Sequence, residues 1–161
     1  MRRALWWSVF ASCAPDPIGS ADPSPGDPDY VRDPALDVAL DSVAGSDTSH
    51  ETGEACMHCH QPHGDGPGVF TAAGSVYRAD GGPADAGTIA LWAGGVDIGT
   101  LVATLEVDAL GNFYTTADLG LPDDPVQPAV IDPDGQVVNQ MPWTTESAAC
   151  NQCHTPVRRI V

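Results

Sequence analysis

The sequence predicts a mainly β protein: a small β-sandwich flanked by two short cysteine-bearing segments. Three observations carry that expectation. From about Phe70 onward, short apolar or alternating runs recur between clusters of turn residues, which is the texture of short strands. Gly, Asn and Pro punctuate them where positive or preset φ values are needed. No long stretch repeats apolar residues at the helical period. With 161 residues the chain has room for one compact core plus tails.

Taken in order, residues 1–13 look like an export signal. Arg2 and Arg3 precede a short apolar run containing Trp6, Trp7, Val9 and Phe10, and the small residues Ala11 and Ser12 stand before Cys13. Residues 14–49 hold Pro15, Pro17, Pro23, Pro25, Pro28 and Pro34 among Asp, Ser and Gly. Such a segment is expected to be a disordered linker, since Pro removes donors and the carboxylates repel one another. Residues 50–161 form the expected domain. In it 75–77, 88–92, 101–107 and 112–116 read as strands, as do 129–131 and 136–138. Asp80-Gly81-Gly82-Pro83, Ala93-Gly94-Gly95, Leu110-Gly111-Asn112 and Asp132-Pro133-Asp134-Gly135 read as turns.

Charge excludes several classes of function. There are 22 Asp and Glu against 6 Arg, no Lys, and a formal net charge of −16. Nucleic acids and anionic membrane surfaces are bound through clustered cations, so neither is an expected partner; cationic proteins are.

The chemistry lies in the cysteines. Five are present. Cys56-Met57-His58-Cys59-His60 and Cys150-Asn151-Gln152-Cys153-His154 use four of them in two Cys-x-x-Cys-His motifs, the signature of covalent haem c attachment. Two residues between the cysteines make one tight turn, so both sulfurs reach one porphyrin edge and the adjoining His ligates iron. Two haem c groups are the expected cofactors, with thioethers at Cys56, Cys59, Cys150 and Cys153 and proximal ligands His60 and His154. A zinc site built from the same four cysteines, structural disulfides and thiol redox chemistry are the competing readings.

Two resemblances extend this. Ala73-Gly74-Ser75-Val76-Tyr77, Asp80-Gly81-Gly82-Pro83, Ala86-Gly87-Thr88-Ile89-Ala90-Leu91 and Gly111-Asn112-Phe113-Tyr114 resemble the carboxypeptidase-regulatory-like, transthyretin-like β-sandwich. Residues 56–161, with a haem motif at each end, resemble bacterial surface and lipoprotein di-haem cytochromes in which such a sandwich is bracketed by the two motifs. Phe10-Ala11-Ser12-Cys13 resembles a lipobox whose cysteine is lipidated, with Phe where Leu is usual; Ala14 after it implies outer-membrane sorting. The resemblance implies an electron carrier rather than an enzyme, tethered through lipid alone. It would exchange electrons with cationic or multihaem cytochromes, and it leaves a homo-oligomer open. A haem enzyme with an open distal site and a surface binding module holding zinc are the alternatives.

The distal ligand candidates are His50, His58, His63 and Met141. His58 and His63 lie too near His60 to pass around the edge of the same haem at about 3.5 Å per residue. The expectation is therefore crossed: His63, or else His58, on the iron of His154, and His50 or Met141 on the iron of His60. Trp143 is the best candidate to lie against a haem, and Arg158 and Arg159 either pair with haem propionates or are solvated. For the first segment, Cys13→Ala should remove both the acylated mass and the membrane-fraction signal. An unchanged mass and fractionation would refute lipidation.

Overall fold

The computed structural model describes residues 23–96, 98–121, 123–155 and 160. Two β-sheets hold almost all of its regular structure. Strands β1 (Ala72–Ser75), β4 (Asn112–Thr115) and β7 (Ala148–Ala149) form one, in the order β4-β1-β7. Strands β2 (Thr88–Ala93), β3 (Thr100–Glu106), β5 (Val126–Ile131) and β6 (Val137–Gln140) form the other, in the order β3-β2-β5-β6. The molecule is thus mainly β, a small β-sandwich. Pairing is antiparallel except where β7 runs parallel to β1.

Between the sheets lie Ala72, Val76, Ile89, Leu91, Leu105, Val107, Phe113 and Val126, all buried. Leu91 and Phe113 are the two bulkiest side chains buried to within 2%. The turns follow the glycines: Gly81, Gly94, Gly95, Gly111 and Gly135 all have positive φ, which an L side chain adopts only under strain. Gly74 in β1 has a different role. A Cβ there would stand 2.5 Å from Phe113 and 2.8 Å from Cys150, so the missing side chain lets the second cysteine motif press against the sheet.

Strand β5 begins earlier than the sequence reading allowed, because Pro128 lies inside it. Pro has no ladder donor. Met141 N–H donates to the Pro128 carbonyl (3.0 Å), and the return bond that Pro128 cannot make comes from the Gln127 amide, which donates to the Met141 carbonyl. The backbone of Met141 is thereby fixed on both sides.

The expectation of a disordered 14–49 linker is corrected for residues 23–49; residues 14–22, with the export signal and Cys13, lie outside the described residues. The Arg32 guanidinium is the reason. Its side chain is only 6% exposed and donates to the carbonyls of Gly64 (2.7 Å), Gly66 and Leu36 (2.9 Å) while paired with Asp37 (2.8 Å). Further along, Leu40 and Thr116 exchange backbone and side-chain bonds, Ser42 N–H donates to Tyr114 O, and Ala109 N–H donates to Ser46 O. A proline-rich segment can still dock when its donors meet carbonyls. Arg32→Ala should lower unfolding free energy by about 2–3 kcal/mol, the scale of a charge-assisted hydrogen-bond set. Arg32→Lys should recover only part, because one ammonium cannot span three carbonyls. Urea denaturation of the three proteins measures both.

Candidate functional site

The two Cys-x-x-Cys-His segments fold into the same turn. Cys56–His58 and Cys150–Gln152 are each one turn of 3-10 helix, entered through Ala55 (φ −75°, ψ 84°) and Ala149 (φ −79°, ψ 68°). In each, the amides of the second cysteine and of the histidine both donate to the carbonyl of the first cysteine: 3.3 and 3.1 Å for Cys59 and His60, 3.1 and 2.8 Å for Cys153 and His154. Each first cysteine also points its sulfur at the carbonyl two residues back, 3.6 Å from Cys56 Sγ to Glu54 O and 3.5 Å from Cys150 Sγ to Ala148 O. None of the four cysteines is disulfide-bonded.

A buried polar cluster holds the two turns side by side. The Ser75 hydroxyl donates to Asn112 Oδ1 (2.7 Å) and accepts from Gly53 N–H (2.9 Å) and Asn151 Nδ2 (3.0 Å), so its one proton and both lone pairs are engaged. Asn151, inside the second motif, also donates to Glu54 O (2.7 Å), just ahead of the first, and accepts from Ser75 N–H (3.0 Å). Asn112 Nδ2 reaches Ser49 Oγ (2.9 Å), His50 O (3.1 Å) and Thr52 Oγ1 (3.3 Å). Two motifs far apart in the chain are therefore pinned through one serine.

The surroundings of the two histidines differ. His60 is buried; its Nδ1 lies 2.7 Å from the Pro67 carbonyl, which only accepts, so the neutral ring carries its proton on Nδ1 and its lone pair on Nε2. Its ring stacks on Phe70 (centroids 4.0 Å, 4°), and Phe70 stacks on Tyr114 (4.9 Å, 14°). Gly66 approaches so closely that a Cβ would stand 2.9 Å from Nδ1. Burial lowers the His60 pKa, with His50 and Arg32 acting the same way against the carbonyls of Pro67 and Gly68, so the ring is kept in its neutral, ligating form. The His50 ring is 6.0 Å away, tilted by 34°.

His154 instead faces a cavity of about 330 Å3, lined mostly by apolar groups that include Ile89, Phe113, Val130, Met141, Cys150, Cys153 and Ile160. Burial pushes the Cys150 thiol up to about 12, helped by Cys56 nearby, and burial also raises Cys56. Neither is poised as a thiolate nucleophile at neutral pH.

These surroundings fit haem: each loop offers two sulfurs and an adjoining imidazole. One imidazole is oriented by a carbonyl, as metal-bound histidines are, and the other opens on an apolar hollow. Among the described residues no three His, Cys, Asp or Glu side chains converge into a metal-holding group.

The His50 ring stands near that of His60, the pairing that one limb of the crossed expectation names, while Met141 and His154 both line the cavity. His58 and His63 are exposed and absent from the cavity wall. Loop 61–68 folds back over His60, with His63 Nδ1 3.3 Å from Tyr30 O and His63 O accepting from Gly26 N–H. Trp143 is 66% exposed instead of packed inward, and Arg158 and Arg159 lie outside the described residues. Ser75, Asn112, Asn151 and Arg32 were not singled out by sequence; the Gly66-Pro67-Gly68 run was the visible sign that backbone passes close to His60.

No family model, curated protein or solved structure matches this chain. Ser75→Ala should orphan three partners without opening a large cavity, costing about 2–3 kcal/mol or more; thermal and urea unfolding measure it. Before any haem is attached, solvent-exposed Cys153 should be alkylated well ahead of Cys150. Cys150 should resist until pH approaches its own value of about 12, as read by peptide mass mapping.

Proposed function

We propose that the protein is an electron carrier holding two c-type haems, attached through Cys56 and Cys59 and through Cys150 and Cys153, with His60 and His154 as proximal ligands. The observation that carries this reading is the repeated turn: the same backbone, the same two amide bonds and the same sulfur contact at both motifs, packed side by side. Zinc or disulfide chemistry gives no reason for a histidine to follow each pair in the same geometry.

Bound haem supplies the reversible one-electron ferric/ferrous couple. The chain's own residues do the rest. Pro67 O orients His60 and fixes its tautomer, while Gly66 and Phe70 cover its ring and exclude water. Phe113, Ile89 and Ile160 give the second site a low-dielectric wall, which tunes potential. The Ser75 cluster limits relative movement of the two turns, so the separation between two groups anchored there is set by the fold. Little internal reorganisation is then required when charge moves.

The acidic surface favours a cationic redox partner, including other multihaem cytochromes, through steering that salt weakens. A cell-envelope location, with Cys13 as a lipid attachment point, belongs to the same proposal. No helix among the described residues is long and apolar enough to cross a membrane.

Expression with a haem-ligation system should yield an intact mass equal to the polypeptide plus two haems, with reversible ferrous-minus-ferric absorption. Bare polypeptide mass with stoichiometric zinc would overturn the proposal. Cys56→Ala/Cys59→Ala and Cys150→Ala/Cys153→Ala should each lose one haem.

A further inference from the structure

The two turns share a backbone but not a neighbourhood, and we infer that they present different sixth ligands to iron, His50 to the iron held by His60 and Met141 to the iron held by His154. This rests on the di-haem reading above.

The His50 assignment stands on distance and on how firmly its backbone is held. A metal–imidazole bond is about 2 Å, so two rings on opposite faces of one ion have centres several ångströms apart, close to the 6.0 Å seen between His50 and His60. Around His50 the chain is over-determined. Asn112 Nδ2 contacts Ser49, His50 and Thr52, and Gly53 is tied to Ser75. Glu51 between them has φ of 52°, the one non-glycine residue with positive φ among those described. Such a conformation costs on the order of 1–3 kcal/mol and persists only where surrounding contacts impose it. Here the imposing contacts are those of Asn112 and Ser75, and what they hold in place is an exposed His50 whose ring stands beside that of His60.

The Met141 assignment stands on donor chemistry. Besides the motif's own Cys150, Cys153 and His154, the side chains lining the cavity are hydrocarbon, amide or hydroxyl, with one exception, the Met141 thioether. Thioether sulfur is a soft donor that suits haem iron where amide and hydroxyl oxygen do not. Its backbone is fixed by the device at Pro128, where Met141 N–H and C=O are both taken, and the residue lines the cavity.

The consequence is a pair of unequal irons. Methionine in place of histidine raises haem potential, so an added electron rests on the His154 site and the His60 site is the more reducing. The pair is directional rather than symmetric.

The test uses the holo-protein, with intact mass first establishing two haems in wild type and in every variant. Near-infrared magnetic circular dichroism of the ferric protein should show one bis-nitrogen and one nitrogen–sulfur iron in equal amounts, and a potentiometric titration should show two waves. His50→Ala should let half of the haem bind carbon monoxide and should move the lower wave alone. Met141→Leu, which preserves volume, should open the other half, abolish the nitrogen–sulfur signal and move the upper wave. Two bis-nitrogen irons, or two variants that retain wild-type carbon monoxide binding with both haems in place, would overturn the assignment. Absence of haem from the wild-type mass would instead overturn the reading beneath it.

Discussion

A single hydroxyl group sets the geometry on which the rest of the molecule depends. Ser75 Oγ sits 1% exposed at the end of β1 with its full hydrogen-bonding capacity spent on Gly53, Asn112 and Asn151. Buried polar groups are stable only when satisfied, and a satisfied cluster tolerates one arrangement of its members. Here the members belong to four separate stretches: the approach to the first motif, strand β1, strand β4 and the second motif. Hydrophobic packing alone would hold the sheets together without saying where the two cysteine turns lie. The polar cluster supplies that register, through Asn151 next to Cys150 and through the backbone of Gly53 and Glu54 just ahead of Cys56.

Around this fixed pair the fold distributes its few cations and many carboxylates unevenly. Arg32 is spent inside, closing the 64–66 loop over His60, where its charge also discourages protonation of that ring. The carboxylates remain mostly on the surface. The result is a neutral, partly aromatic lining at one turn and an apolar cavity at the other, within a shell that is strongly negative. Two motifs with the same cysteine and histidine spacing thereby acquire distinct local environments, because the neighbouring segments differ.

Strands with alternating apolar character were legible: β2, β3, β4 and β6 fall within a residue or two of the sequence reading, because side-chain period and turn glycines are local properties. Strand β7 was not, since Ala148-Ala149 has no pattern of its own and becomes a strand only by lying parallel to β1. Residues 72–74 were missed for a related reason: Ala-Ala-Gly lacks β-branched bulk, and its strand character comes from being wholly buried between β4 and β7. The docking of residues 23–49 depends on where Arg32 meets carbonyls 32 and 34 positions away, which no local window contains. At the site, the cysteines and histidines of the motifs could be read from spacing alone. What surrounds each histidine could not, because the fold-back of loop 61–68 and the Pro128 irregularity decide it, and both are matters of backbone bonding.

The parallel pairing of β7 with β1, extended by Tyr77 N–H donating to Ile160 O, has a consequence for biosynthesis. Strand β1 is completed by Ala148–Ala149 and Ile160, which follow it far along the chain and leave the ribosome well after it. Until they arrive, Ser75 lacks Asn151, the three-stranded sheet lacks an edge, and Glu54 O, just ahead of the turn at Cys56, lacks its donor. The bonds that join the two cysteine turns, from Asn151 to Ser75 and to Glu54, therefore form only once the second motif is in place.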